Sequence, residues 1–130
     1  MNRAKYERIL EELEGLRELS LEMPIVVEGK KDEGALRSLG IRGEVLQIQS
    51  GMPFYEFCEG IAGKYGDVIL FTDTDAEGQE IARRFKGDMS QRGVRVNERF
   101  RSAILSMTDT HHVESLFSRL KKIKAQFTNF

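Results

Sequence analysis

Hydrophobic and polar positions along the chain predict short buried strands separated by amphipathic helices. The apolar runs at 24–27 and 68–72 have the length and composition of strands buried on both faces of a parallel sheet. Leucine and isoleucine at three- and four-residue spacing predict a helix over 2–21, which Pro24 separates from the first strand. The predicted strands are 25–28, 44–49, 68–72 and 94–96. The helices predicted after the first three strands are 31–39, 53–65 and 76–91. This alternation predicts an α/β fold with a mainly parallel four-stranded sheet flanked by helices.

The C-terminal part of the chain has a weaker pattern. Residues 97–108 are expected to be irregular or strand-like. An apolar stripe from Val113 to Ile123 predicts a final helix over about 110–124, and residues 125–130 are expected to fray. The chain is therefore expected to form one domain with three parts. These are an N-terminal amphipathic helix (1–23), an α/β core (24–100) and a C-terminal extension with a basic helix (101–130).

Three carboxylates follow the ends of two predicted strands. Glu28 and Gly29 end the first strand, and Asp73 and Asp75 end the third. Parallel strands joined by helices point the same way, so their carboxyl ends share one edge of the sheet, where α/β folds place their sites. Like charges this close together require a compensating cation. A hard divalent ion with oxygen ligands, Mg²⁺ first and Mn²⁺ as a substitute, suits them best.

The composition places the chain among folded proteins. Of its 130 residues, 40 % are hydrophobic and 32 % are charged, which is typical of a globular domain. No apolar run approaches the roughly 20 residues of a membrane span, so no contact with a membrane is expected. The N-terminus is charged from Arg3 onward, and Cys58 is the single cysteine. These features predict no signal peptide, no internal disulfide and a cytoplasmic location.

The formal net charge of −1 hides an asymmetry between the two parts of the chain. Residues 1–82 carry 9 Lys/Arg and 17 Asp/Glu, whereas residues 83–130 carry 11 Lys/Arg and 4 Asp/Glu. One interpretation is a metal site beside a basic track for a phosphate backbone, and the other is ordinary solvated helix faces. The arginines expected to form such a track are Arg83, Arg84, Arg95, Arg99 and Arg101.

Two local motifs resemble the Toprim domain, the catalytic module shared by type IA and type II topoisomerases, DnaG-type primases, OLD-family nucleases and ribonuclease M5. The first is Val-Val-Glu-Gly at 26–29, and the second is Phe-Thr-Asp-Thr-Asp-Ala-Glu-Gly at 71–78. The first motif and the lysines after it look most like the ribonuclease M5 and small primase-like branch. The resemblance covers roughly residues 24–100 and implies a Rossmann-like Toprim fold.

The resemblance also implies roles for particular residues. Glu28 corresponds to a general acid or base that can also touch metal, and Asp73 and Asp75 correspond to the Mg²⁺ ligands. Asp32 and Glu77 are candidates for supporting the ligands or for holding a second ion, although Asp32 could equally be a helix N-terminal residue that favours the dipole. The candidates for contact with substrate phosphate are Gly29, Lys30, Lys31, Gly78, Arg83 and Arg84.

The implied activity is Mg²⁺-dependent phosphodiester cleavage, or phosphoryl or nucleotidyl transfer, on DNA or RNA. The alternative is a non-catalytic nucleic-acid- or protein-binding module that retains the metal site, and a protein partner could supply a substrate-binding domain. The chain's tyrosines lack the context of a topoisomerase tyrosine, so independent strand passage is not expected. His111 and His112 have no cysteine or carboxylate at a zinc-like spacing, and they are expected to be surface residues.

Overall fold

The computed structural model describes residues 1–128, and these form the predicted α/β fold. Four parallel strands lie in the order β2-β1-β3-β4. The strands are β1 Ile25–Val27, β2 Val45–Gln47, β3 Asp67–Leu70 and β4 Arg95–Asn97. The helices are α1 Arg3–Leu19, α2 Lys30–Ser38, α3 Phe54–Ala62, α4 Ala76–Gln91, α5 Arg99–Met107 and α6 Leu116–Thr128. Within residues 1–128, none of these helices has the length and apolar character needed to cross a bilayer.

The central strands are buried on both faces, which explains their continuous apolar runs. Side chains alternate along a strand, so successive residues enter opposite layers of the core. Ile25 and Val27 pack in one layer with side chains of α1, α2, α5 and α6. Val26 and Val68 pack in the other layer with side chains of α3 and α4. The two layers hold the strand ends of β1 and β3 side by side.

The first helix covers one face of this core. The Asn2 side chain accepts a hydrogen bond from the Lys5 N–H at 2.8 Å and so caps the N-terminus of α1, as short polar side chains commonly do. Ile9, Leu13 and Leu16 are buried at helical spacing, and the helix lies against α5 and α6. The N-terminal helix is therefore part of the same folded unit as the sheet.

Most of the range 97–108 forms helix α5, Arg99–Met107, where the sequence predicted irregular or strand-like structure, so that prediction was wrong for the helical residues; Asn97 ends β4. Helix α5 buries Phe100, Ile104 and Leu105, which is an ordinary helical spacing. The stripe was obscured because a charged residue, Arg101, is also on the buried face, with only 4 % of its surface exposed. A charged residue at a buried position interrupts the apolar stripe that would otherwise indicate a helix. In the folded protein, hydrogen bonds from the Arg101 guanidinium make its burial tolerable.

The last helix begins later than predicted and continues further. A loop and a 3₁₀ turn, Val113–Ser115, precede α6. The backbone of this loop bonds to the segment after β3 instead of forming helical bonds: Thr74 N–H donates to the His111 carbonyl at 2.9 Å. The fraying expected over 125–130 is wrong for residues up to Thr128, which are helical, and residues 129–130 lie outside the described part of the chain.

Gly78, in the first turn of α4, allows that helix to begin against the chain that follows β3. A Cβ atom placed at Gly78 would lie 2.2 Å from the carbonyl oxygen of Asp73 and 2.6 Å from its carbonyl carbon. Backbone atoms cannot move aside as the tip of a flexible side chain can. The glycine therefore sets the distance between the helix and the acidic loop.

We expect Gly78→Ala to lower the free energy of unfolding by roughly 2 to 3 kcal/mol, because overpacking against backbone forces the two segments apart. Gly87 lies in the same helix with open space where a Cβ would be, so Gly87→Ala should raise the free energy of unfolding by about 0.5 to 1 kcal/mol. Urea denaturation of both variants tests this difference. Equal stability of the two alanine variants would contradict the close approach.

Candidate metal centre at the carboxyl edge of the sheet

The adjacent parallel strands β1 and β3 bring the two sequence motifs together. Glu28 directly follows β1, and Asp73 lies three residues beyond the end of β3. The Glu28 Oε1 atom accepts a hydrogen bond from the Asp73 N–H at 3.1 Å. The two motifs, 45 residues apart in sequence, are therefore in direct contact at the edge of the sheet that the sequence predicted.

Each aspartate of the second motif uses one carboxylate oxygen to hold the backbone. Asp75 is the N-cap of α4, and its Oδ1 accepts a hydrogen bond from the Gly78 N–H at 2.7 Å. Asp73 Oδ1 accepts one from the Val113 N–H at 2.8 Å. These bonds leave the Oδ2 atoms of both aspartates directed towards a common point. The two aspartates thus lie close together, as their spacing predicted.

His112 lies at that common point. It is a surface residue, as the sequence predicted, but its side chain also faces the two aspartates, which the sequence did not predict. Its Nδ1 atom lies 3.4 Å from Asp73 Oδ2 and 3.6 Å from Asp75 Oδ2. Ligand-capable atoms of Asp73, Asp75 and His112 all lie within 4.8 Å of one another. No spacing rule could find this histidine, because the loop before α6 carries it to the site from 37 residues beyond Asp75. Two carboxylates and an imidazole form a donor set that suits a divalent metal ion.

Glu28 lies beside this group and is not one of its three members. The side chain is partly buried. Burial raises the pKa of Glu28 above its ordinary value, and the charges of Asp73, Asp32 and Asp75 add to the effect, although the hydrogen bond from the Asp73 backbone opposes it. The raised pKa favours the protonated form of Glu28 relative to an exposed glutamate.

Asp32 lies at the same edge but has a structural partner. Its Oδ2 accepts a hydrogen bond from the Gly29 N–H at 3.0 Å, closing the start of α2. Burial raises the pKa of Asp32, with further contributions from Asp73 and Glu114, whereas the Gly29 hydrogen bond and His112 lower it. Asp32 therefore closes the start of α2, as one interpretation of its position predicted, and its role in supporting the metal ligands stays a prediction.

The other predicted site residues are spread around this centre. Glu77 is exposed in the first turn of α4, and Lys30 and Lys31 lie in the first turn of α2, where both are accessible to solvent. The N–H groups of Gly29 and Gly78 already donate to Asp32 and Asp75. The lysine ammonium groups are thus more accessible to a phosphate than these two backbone N–H groups.

Arg101 is buried and forms hydrogen bonds to the acidic loop, residues 72–75, so the expectation that it forms part of a surface track was wrong. Its guanidinium donates to the carbonyl oxygen of Thr72 at 2.8 Å, to that of Asp73 at 2.9 Å and to Gln79 Oε1 at 2.6 Å. Burial lowers the pKa of Arg101, and Glu98, Glu28 and Asp73 oppose this shift. The guanidinium remains protonated at neutral pH and supplies a fixed positive charge beneath the carboxylates.

The remaining arginines of the expected track do not lie together. Arg83 and Arg84 are exposed on α4, where Arg83 pairs with Glu80 and the Arg84 guanidinium lies 4.3 Å from the Phe54 ring centroid. Arg95 starts β4 and bonds to Asp67 at 2.8 Å, on the opposite edge of the sheet from the acidic site. Arg99 pairs with Glu12 of α1. Of the five arginines, Arg83 and Arg84 lie on the helix that begins at Asp75, which makes this pair the candidate contact for a ligand.

Comparisons with known proteins agree with this geometry. The family model described as "Toprim domain" matches residues 24–106. A UPF0292 protein of Methanocaldococcus jannaschii is 36 % identical over 126 residues, covering 94 % of this chain and 98 % of that protein. A UPF0292 protein of Thermococcus onnurineus is 35 % identical over 120 residues, covering 91 % and 87 %.

The fold also has a counterpart among solved structures. A protein from Aquifex aeolicus superposes with a TM-score of 0.72 at 33 % identity, covering 81 % of this chain and 94 % of that one. Both motifs and the whole sheet fall within the residues matched by the Toprim model. The chain therefore belongs to the Toprim family, and that membership, with the acidic cluster, supports a metal-binding role related to nucleic acid.

Proposed function

We propose that the protein catalyses metal-dependent phosphodiester cleavage, or phosphoryl or nucleotidyl transfer, on nucleic acid. The observation that carries this proposal is the convergence of the Oδ2 atoms of Asp73 and Asp75, which accept no backbone hydrogen bond and face His112, beside Glu28. Two anionic oxygen donors and a neighbouring proton-transfer group are what metal-assisted phosphoryl chemistry requires. The Toprim membership of the chain supports the choice of nucleic acid as substrate.

Asp73 and Asp75 would hold the metal ion through the oxygens that face away from the backbone hydrogen bonds. Because Val113 and Gly78 fix the other oxygen of each carboxylate, the two donors keep their positions without a ligand, which is the preorganisation that catalysis needs. A bound Mg²⁺ or Mn²⁺ would supply Lewis-acid stabilisation of charge on the phosphoryl oxygens.

Glu28 is proposed to move the proton. It follows β1 directly, and its carboxylate is oriented by the Asp73 N–H. A carboxyl group in this position can donate a proton to a leaving oxygen when it is protonated, or accept one from an attacking hydroxyl when it is ionised. We propose that Lys30 and Lys31 of α2, and Arg83 and Arg84 of α4, contact the phosphate backbone on either side of this centre.

The first test is the binding of metal. Asp75→Asn should weaken Mg²⁺ and Mn²⁺ binding by at least about tenfold, since even groups that only support metal ligands change affinity by about 10- to 100-fold. Asparagine remains a good N-cap, so the fold should persist. Asp67→Asn is the matched control, because Asp67 is the first residue of β3 and lies at the end of that strand away from the site. Calorimetric titrations showing equal affinity for both variants would remove Asp75 from the metal centre.

The second test concerns turnover. Glu28→Gln keeps the size of the side chain and removes its titrating carboxylate, so the rate should fall by about 10²-fold or more. Metal affinity and nucleic-acid affinity should change little, because Asp73, Asp75 and the basic side chains supply those contacts. The assay uses single- and double-stranded DNA and RNA with Mg²⁺ or Mn²⁺. Wild-type rates in the variant would exclude Glu28, whereas binding without turnover by the wild type would favour the non-catalytic module.

The third test locates the side chains that bind phosphate. If Arg83 and Arg84 both bind phosphate groups, the double variant Arg83→Ala/Arg84→Ala should show a weaker dependence of affinity on salt. The slope of log affinity against log salt concentration should fall in magnitude by about 0.7 to 0.9 for each phosphate contact that is lost. Arg42→Ala/Arg95→Ala removes the same charge near the amino ends of β2 and β4 and should leave the slope unchanged. Fluorescence anisotropy across a salt series measures both. Identical slopes for the two double variants would place the backbone track elsewhere.

A further inference from the structure

We infer that His112 is a third protein ligand of the metal ion, and that its nitrogen makes the site prefer Mn²⁺ to Mg²⁺. This inference rests on the proposed metal centre at Asp73 and Asp75, and it adds the identity of the ion. The position of His112 carries it: Nδ1 lies 3.4 Å from Asp73 Oδ2 and 3.6 Å from Asp75 Oδ2. Neighbouring ligands of an octahedral ion with bonds of about 2.1 Å are about 3 Å apart. The two distances from the imidazole are close to that spacing, and the ligand atoms of all three residues lie within 4.8 Å of one another.

The backbone on both sides of His112 is attached to the acidic loop. On one side, the His111 carbonyl accepts a hydrogen bond from the Thr74 N–H at 2.9 Å. On the other side, the Val113 N–H donates to Asp73 Oδ1 at 2.8 Å. These bonds hold the loop that carries His112 against the loop that carries the aspartates. The backbone that carries the imidazole is therefore held beside the aspartates by the fold.

The neighbouring histidine has a different partner. His111 Nδ1 lies 3.1 Å from the hydroxyl oxygen of Thr74, which leaves His112 as the imidazole that faces Asp73 and Asp75. Its side chain is 54 % exposed, so a hydrated ion can reach it from solvent. The two adjacent histidines thus provide a ligand candidate and a matched control of the same chemistry.

The donor set determines the preferred ion. Mg²⁺ takes oxygen ligands almost exclusively and loses its waters reluctantly. First-row transition-metal ions accept imidazole more readily, and Mn²⁺ also suits carboxylates. A site with two carboxylates and one imidazole should therefore bind Mn²⁺ more tightly than Mg²⁺. Removing the imidazole should therefore reduce the preference of the site for Mn²⁺ over Mg²⁺.

The direct test is pulsed electron paramagnetic resonance of Mn²⁺ bound to the full chain. The wild type should show hyperfine coupling to a directly bound ¹⁴N, His112→Gln should lose it, and His111→Gln should keep it. Calorimetry with Mn²⁺ and Mg²⁺ should show the ratio of the two affinities falling by about tenfold in His112→Gln and staying unchanged in His111→Gln. Thermal unfolding checks that both variants fold.

The outcomes separate this inference from the proposed function. Mn²⁺ bound to the wild type without ¹⁴N coupling would overturn the role of His112 and leave the carboxylate centre standing. His112 would then be an ion-pair partner of Asp73 and Asp75 only. Failure of the wild type to bind either ion would overturn both the metal centre and the inference. Turnover on nucleic acid is measured independently of both readouts.

Discussion

The candidate site depends on hydrogen bonds that hold one short loop, residues 72–75, from three directions. Glu28 accepts from the Asp73 N–H, Arg101 donates to the carbonyls of Thr72 and Asp73, and the Val113 N–H donates to the Asp73 side chain. A loop that follows a strand has no ladder partners, so its backbone groups must find others or be solvated. Here those partners come from the end of β1, from α5 and from the loop before α6, which fixes the orientation of the carboxylates before any ligand binds.

The same interactions moderate the repulsion among the acidic side chains. Four carboxylates, of Glu28, Asp32, Asp73 and Asp75, face one edge of the sheet, and burial and mutual repulsion raise the pKa of Glu28 and Asp32. The guanidinium of Arg101 lies beneath them, and hydrogen bonds from Gly29 and Asp73 N–H groups reach two of them. The remaining excess of negative charge is what a bound cation would neutralise.

The sequence predicted those parts of the structure that follow from local pattern and strand direction. Buried apolar runs located β1 and β3, and their parallel pairing brought Glu28 and Asp73 together. The helical nature of α5 was missed because Arg101 occupies its buried face, and only tertiary hydrogen bonds make that arrangement tolerable. His112 was missed for a related reason, since its place at the site depends on how a distant loop packs. The contacts of these two residues are long-range and leave no periodic signal.

The position of His112 late in the chain has a consequence for how the protein is made. Glu28 and both aspartates are translated well before the loop that carries His112, which lies 37 residues beyond Asp75. Domains generally fold as units during synthesis. An incomplete chain that ends before residue 112 thus presents the acidic motif without its imidazole and without the backbone donor at Val113. The full set of donors assembles only when the C-terminal part has docked, which ties the completed centre to a completed fold.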